Sequence, residues 1–163
     1  IDKDDTVLVS GIGCSSRLPA YVDSYGFHGV HGRGLAIAQG LKVARPDLTV
    51  LALGGDGDGF GIGVGHFIHA MRRNVNITYI VMNNQIYGLT TGQASPTTSR
   101  MHKTKSTPNG NFEFPFNPEG VALMAGASFV ACWDDCPEQA AMTSSAESPA
   151  PLRSSFPIIM QSR

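Results

Sequence analysis

The apolar positions of the chain fall into short continuous runs that alternate with helically spaced ones. Thr6-Val7-Leu8-Val9-Ser10 is a brief apolar run that stops at Gly11-Ile12-Gly13-Cys14, which reads as a strand entering a tight loop. Leu35, Ala38 and Leu41 then recur at helical spacing between about Gly34 and Ala44, and Pro46 stops that helix. Leu48 to Leu53 is a continuous apolar run, as expected of a buried strand. It runs directly into Gly54-Gly55-Asp56-Gly57-Asp58-Gly59. Val64, Phe67, Ile68 and Met71 return to helical spacing and close on Arg72-Arg73, a basic pair suited to the negative end of a helix dipole. Ile77 to Met82 is a further strand-like run that ends in Asn83-Asn84.

Strand, helix, strand, helix, strand predicts an α/β domain with a mostly parallel sheet and right-handed crossovers. Ligands in such sheets sit beyond the carboxyl ends of the strands. Here those ends carry the loops at Cys14, Asp56 and Asn84, which should converge on one crevice. Residues 85–118 lack periodicity and are rich in Thr, Ser, Gly, Pro and Asn, as functional or disordered loops are. A short helix from about Pro118 to Ala125 and a strand around Ser128 to Ala131 should follow. From residue 132 to 163 the chain is rich in Ser, Pro and Ala without a period and reads as a disordered tail. The expected organisation is therefore one domain over residues 1–131 and a divergent tail over 132–163. No internal repeat is evident.

Composition narrows the function. Charged residues make up 15% of the 163 positions, and there are 19 glycines. An ordinary domain has about 25% charged residues and roughly 7% glycine. Low charge with much glycine favours close backbone approaches and broad contact surfaces. Twelve basic against 13 acidic residues give a net charge of -1, which argues against a nucleic-acid binder. No apolar run approaches the roughly 18 residues of a membrane helix, so no membrane association is expected. Three cysteines and no secretory signal fit a reducing, cytoplasmic setting.

The chemistry gathers at the strand ends. Asp56 and Asn84 lie 28 positions apart, about one strand–helix–strand unit, so their side chains can meet. A carboxylate, an amide oxygen and a backbone carbonyl form a hard, low-charge oxygen site of the kind that suits Mg²⁺, which takes its remaining ligands from phosphates and water. The glycines let the backbone approach a diphosphate, and the N–H groups that open the next helix would face it. Helix capping and turn formation are the plainer reading of the same two residues. A dinucleotide fold is disfavoured because two Asp in the Gly-rich run would repel phosphate. His66 and His69 are three apart on a helix, but nothing nearby has matching ligand spacing. Cys132 and Cys136 lack the further ligands that zinc needs.

Four blocks carry a specific resemblance: Gly11-Ile12-Gly13-Cys14-Ser15-Ser16-Arg17; His31-Gly32-Arg33; Gly55-Asp56-Gly57-Asp58-Gly59; and Asn83 through Gln93 with Ser95-Pro96-Thr97. Together, and in this order over about residues 6–131, they resemble the beta subunit of 2-oxoacid:ferredoxin oxidoreductases, nearest to the 2-oxoglutarate type. That resemblance implies a three-layer α/β/α domain that binds thiamine diphosphate. It implies that Asp56 and Asn84 hold Mg²⁺ by their side chains and Ile86 by its carbonyl, with Gly55, Gly57 and Asp58 against the diphosphate. Tyr87, Gly88, Leu89 and Thr90 would form a loop beside cofactor and substrate, with Ser15 and His31 lining the same site. Cys14 would be one of the four thiolate ligands of a 4Fe-4S cluster, with the others outside this stretch of chain. The implied reaction is oxidative decarboxylation of a 2-oxoacid to an acyl-CoA, with electrons passed to ferredoxin. The pyrimidine-contacting Glu would come from a partner alpha subunit. Arg17 is the candidate reader of a distal substrate carboxylate, through its bidentate fork. The chain opens on Ile1 and leaves the family's pattern at Cys132, so it is expected to be a piece of a longer subunit, inactive by itself. A non-redox thiamine decarboxylase or acetolactate-synthase-like domain, and a silent partner-binding subunit, remain the alternatives.

Overall fold

The computed structural model describes residues 2–132 and the strand at 156–161. The strands are β1 (Thr6–Ser10), β2 (Tyr25–His28), β3 (Thr49–Gly55), β4 (Thr78–Asn83), β5 (Ile86–Tyr87), β6 (Gln93–Ala94), β7 (Phe129–Cys132) and β8 (Phe156–Gln161). The helices are α1 (Gly34–Ala44), α2 (Val64–Arg73) and α3 (Pro118–Ala125). A 3-10 turn spans Ser15–Ala20 and a π turn spans Gly57–Ile62.

Six strands form one sheet in the order β2-β1-β3-β4-β8-β7. The first four are parallel, and β8 runs antiparallel to both β4 and β7. The α/β architecture with a mostly parallel sheet is therefore as the sequence pattern predicts. Register aligns Val9 with Ala52 and Ala52 with Tyr79, so these side chains share one face. That face buries Val9, Val50, Ala52, Tyr79 and Val81 against Leu35 and Ala38 of α1, Phe67, Ala70 and Met71 of α2, and Ala122 of α3. Phe67, at 0% exposure, stacks edge-on against Phe60 at a 5.1 Å centroid distance. Deleting such a side chain removes both its transfer free energy and its packing. On the opposite face the 3-10 turn covers the β1–β2 end, with Pro19 pressed close to Gly26. Leu51 and Ile80 on that face are half-buried.

The predicted helices appear where their spacing placed them. Asn117 caps α3, its side chain accepting from the Gly120 N–H at 2.8 Å. Asn74 ends α2 in the left-handed region, at φ 51°, a conformation that Asn tolerates better than most residues. Three features differ from expectation. Strand β2 is exposed at every position, so it carries no burial pattern to read. Residues 85–118 contain the β5–β6 hairpin and a dense side-chain network rather than an open loop. Within the stretch expected as a tail, residues 156–161 form β8; residues 133–155 and 162–163, Cys136 among them, lie outside the described residues. Cys132 closes β7. Among the described residues no helix is long and apolar enough to cross a membrane.

Candidate functional site

The carboxyl ends of β1, β3 and β4 open into one crevice of about 880 Å³. Parallel pairing places them side by side: Ser10 lies opposite Leu53, and Gly55 opposite Met82. Of the residues singled out from the sequence, Cys14, Ser15, His31, Gly55, Asp56, Gly57, Asp58, Asn84, Ile86, Tyr87, Gly88, Leu89 and Thr90 line the crevice. Arg17 does not. It is exposed on the 3-10 turn, three residues after Cys14.

Asp56 stands at the N-terminal boundary of the π turn, without a side-chain capping bond, and is 1% exposed. Burial raises its pKa; the hydroxyls of Ser95 and Thr97, its own backbone N–H and that of Asn84 pull the other way. Asp56 and Asn84 line the same crevice at the ends of the adjacent strands β3 and β4. Thr97 Oγ1 lies 2.9 Å from Asp56 Oδ2 and 2.7 Å from Asn83 Oδ1, with one proton to share between the two. Among the described residues no Lys, Arg or His pairs with Asp56. A carboxylate buried without a counter-charge is costly, and a bound cation removes that cost. Asn84 Oδ1 accepts from the Ile86 N–H at 3.2 Å, which fixes the amide over the turn and leaves a lone pair free. One carboxylate, one amide oxygen and the Ile86 carbonyl thus fit a hard divalent cation that keeps most of its ligands from phosphate and water. Among the described residues no three His, Cys, Asp or Glu side chains gather at metal-binding range, so the protein's own donors would be these few oxygens.

Tyr87 forms the facing wall. Its hydroxyl donates to the Gly57 carbonyl at 3.2 Å. A Cβ at Gly57 would collide with its ring, and one at Gly61 with its hydroxyl. The glycines of this run therefore make room for aromatic side chains as well as for a ligand. Burial raises the Tyr87 pKa, reinforced by Asp56 and then Asp58, so its hydroxyl keeps its proton. The His31 and Tyr87 ring centroids lie 6.3 Å apart across the crevice. Cys14 is an exposed free thiol. A Cβ built at Gly88 would lie 3.5 Å from its sulfur, so the cysteine sits directly beside the loop after β5.

Asp58 lines the crevice and is also bonded to the loops around it. Its carboxylate is turned away from solvent, 4% exposed, and accepts from the Ile12 N–H at 2.8 Å and the Gly32 N–H at 2.7 Å. His28, off the crevice, has Nδ1 2.9 Å from Ser10 Oγ and 3.1 Å from the Ser16 carbonyl. His66 and His69 remain on the α2 surface.

Sequence reasoning assigned no role to Ser95, Thr97, Thr98, Asn83 or Asn111. Thr98 Oγ1 donates to the Gln85 carbonyl at 2.6 Å and accepts from the Ser95 N–H at 2.7 Å. The Asn111 amide donates to the Thr98 carbonyl at 3.0 Å. These bonds hold Gln85 at φ 59° and so shape the turn that presents Asn84 and Ile86. The one available signal was the Ser95-Pro96-Thr97 block itself.

A parallel α/β sheet with an Asp and an Asn presented from neighbouring strand ends beside a glycine-rich turn defines a diphosphate-cofactor domain. The chain matches the family model "Thiamine pyrophosphate enzyme, C-terminal TPP binding domain" over residues 11–150, and it belongs to that family. It is 56% identical over 128 residues to the 2-oxoglutarate oxidoreductase subunit KorB of Mycobacterium tuberculosis, covering 78% of this chain and 34% of that one. It is 52% identical over 130 residues to the 2-oxoglutarate synthase subunit KorB of Archaeoglobus fulgidus, covering 80% and 49%. A solved 2-oxoglutarate:ferredoxin oxidoreductase from Magnetococcus marinus, with 2-oxoglutarate, coenzyme A and succinyl-CoA bound, superposes with a TM-score of 0.77 at 54% identity, covering 78% of this chain and 44% of that one. The resemblance carried by the four sequence blocks is thus borne out. The chain spans less than half the length of these relatives.

Proposed function

We propose that this chain is the thiamine-diphosphate-binding part of the beta subunit of a 2-oxoacid:ferredoxin oxidoreductase acting on 2-oxoglutarate. The observation that carries the reading is the buried Asp56 carboxylate, without a cationic partner among the described residues, sharing the crevice with Asn84 at the ends of adjacent strands. The Asp56 carboxylate, the Asn84 amide oxygen and the Ile86 carbonyl hold Mg²⁺, and the peptide groups at Gly55 and Gly57 come close to the diphosphate. Bound there, thiamine diphosphate supplies the electron sink that decarboxylation of a 2-oxoacid requires. Tyr87 and the residues to Thr90 wall the reacting end and limit water. His31 closes the opposite side.

Cys14, exposed beside Gly88, would serve as one of four thiolates of a 4Fe-4S cluster in the intact subunit, and that cluster would supply the one-electron chemistry that ferredoxin reduction needs. Coenzyme A takes the acyl group. An alpha subunit completes the site with the pyrimidine-facing Glu, so this length of chain is inactive alone. Arg17, exposed on the turn after Cys14 and outside the lining of the crevice, is the candidate reader of the distal carboxylate. The sequence identity to 2-oxoglutarate-named relatives supports the substrate class.

The test is the reconstituted full-length complex, assayed for coenzyme A-dependent ferredoxin reduction with 2-oxoglutarate and with pyruvate. The reading requires turnover on 2-oxoglutarate, loss of turnover in Asp56→Ala, and a greater loss on 2-oxoglutarate than on pyruvate in Arg17→Ala. Decarboxylation without ferredoxin reduction would assign the chain to a non-redox thiamine enzyme. Equal losses on both substrates would remove Arg17 from the selection of substrate.

A further inference from the structure

Asp58 stands two residues after the proposed cation ligand, yet its bonds run elsewhere. Its Oδ1 accepts from two backbone N–H groups on separate loops: Ile12, in the segment after β1, at 2.8 Å, and Gly32, in the turn before α1, at 2.7 Å. His31 Nδ1 lies 3.1 Å from the same oxygen but is not aligned for a hydrogen bond. The carboxylate also occupies the space that a side chain at Gly11 would need, and a Cβ at Gly54 would come within 3.1 Å of Oδ2. Gly11 is thus kept small by Asp58, whereas at Gly54 the Tyr79 hydroxyl, 2.6 Å from such a Cβ, is the first obstruction. Two N–H donors on one ionised oxygen are charge-assisted hydrogen bonds, stronger and shorter than neutral ones.

We infer that Asp58 is a positioning residue rather than a cofactor ligand: its carboxylate clasps the Cys14 loop and the His31 turn onto the glycine-rich floor of the crevice. This rests on the reading of the crevice as the cofactor site. Ile12, Gly13, Cys14, Ser15 and His31 all line that crevice, and each lies within three residues of a clasped amide. One carboxylate on the floor therefore fixes the distance of Cys14 and His31 from the Asp56–Asn84 pair. A diphosphate lying directly against this group would meet a negative charge whose near oxygen is already occupied. Such a clasp keeps the cysteine in place whether or not the cofactor is bound.

The experiment uses the full-length subunit and the variants Asp58→Asn and Asp58→Ala. Hydrogen exchange is measured without cofactor on peptides containing Ile12 and Gly32, with α3 as an internal reference. Loss of a charge-assisted bond should speed exchange at both amides roughly tenfold or more in the alanine variant. The asparagine variant, which keeps Oδ1 but not the charge, should show a severalfold rise, and α3 should not change. Thiamine diphosphate is then titrated with Mg²⁺: affinity should fall in the alanine variant and largely recover in the asparagine variant. Unchanged exchange at Ile12 and Gly32 would overturn the clasp. So would a complete loss of cofactor binding in Asp58→Asn with wild-type exchange, because that pattern marks a direct ligand. If Asp58→Ala fails to fold, the asparagine variant decides by the same two criteria. A wild-type subunit that binds no thiamine diphosphate would refute the cofactor reading, while the exchange data would still decide the clasp.

Discussion

Thr97 carries more of the site than its sequence neighbours suggested. Its hydroxyl is buried between Asp56 Oδ2 and Asn83 Oδ1, so it restrains one carboxylate oxygen and leaves the other for a cation. Groups that orient a metal ligand typically contribute 10–100-fold in metal affinity, and Thr97→Val should weaken Mg²⁺ binding by about that factor. Thr97→Ser, which keeps the hydroxyl, should restore most of it; isothermal titration of the two variants checks this. Asp56 makes an opposite prediction for stability. Burial raises its folded pKa, so without metal its proton is held more tightly in the folded chain than in the unfolded one. Its contribution therefore favours folding below the ordinary carboxylate pKa and is lost as pH rises through the raised value. Asp56→Asn should then melt at or above the wild-type temperature at neutral pH without divalent cations. That advantage should shrink on acidification and disappear when wild type is saturated with Mg²⁺. The pair Asp56 and Asn84 was legible because Gly-Asp-Gly and Asn-Asn are local strings. The threonine that orients Asp56 was not, because its function exists only once residues 41 positions apart are brought together.

Helices and central strands were readable from the sequence for a physical reason: each buries one stripe or face, and burial imposes a period. Helix α2 shows this, with Phe67, Ala70 and Met71 buried on the face that meets α1 and α3. Phe67→Ala should cost about 3–5 kcal/mol in chemical unfolding. Asn117→Ala, which removes the only side-chain cap found on the three α-helices, should cost about 1 kcal/mol. Strand β2 escaped because an edge strand exposed on every residue has no alternation to reveal it. The π turn at 57–62 and the β5–β6 hairpin escaped for another reason. Their conformations are set by tertiary contacts, Tyr87 against Gly57 and Gly61 and Thr98 against Gln85, which outweigh local propensity. The predicted helix N-terminus facing the diphosphate is in fact this π turn, with α2 beginning at Val64.

At the scale of the whole molecule the chemistry of the described residues gathers at one end of the sheet, where the carboxyl ends of β1, β3 and β4 open. The low charge and the glycines find their explanation here. The floor of the crevice must admit a diphosphate, an aromatic wall and the Asp58 carboxylate at close range, and side chains would obstruct all three. Everything depends on a divalent cation bridging Asp56 and Asn84 to a diphosphate. The most direct measurement is calorimetric titration of thiamine diphosphate into the full-length subunit with and without Mg²⁺, for wild type and Asp56→Ala. The account predicts saturable binding that requires Mg²⁺ and vanishes in the variant. Binding that is indifferent to Mg²⁺, or that survives the loss of the Asp56 carboxylate, would contradict it.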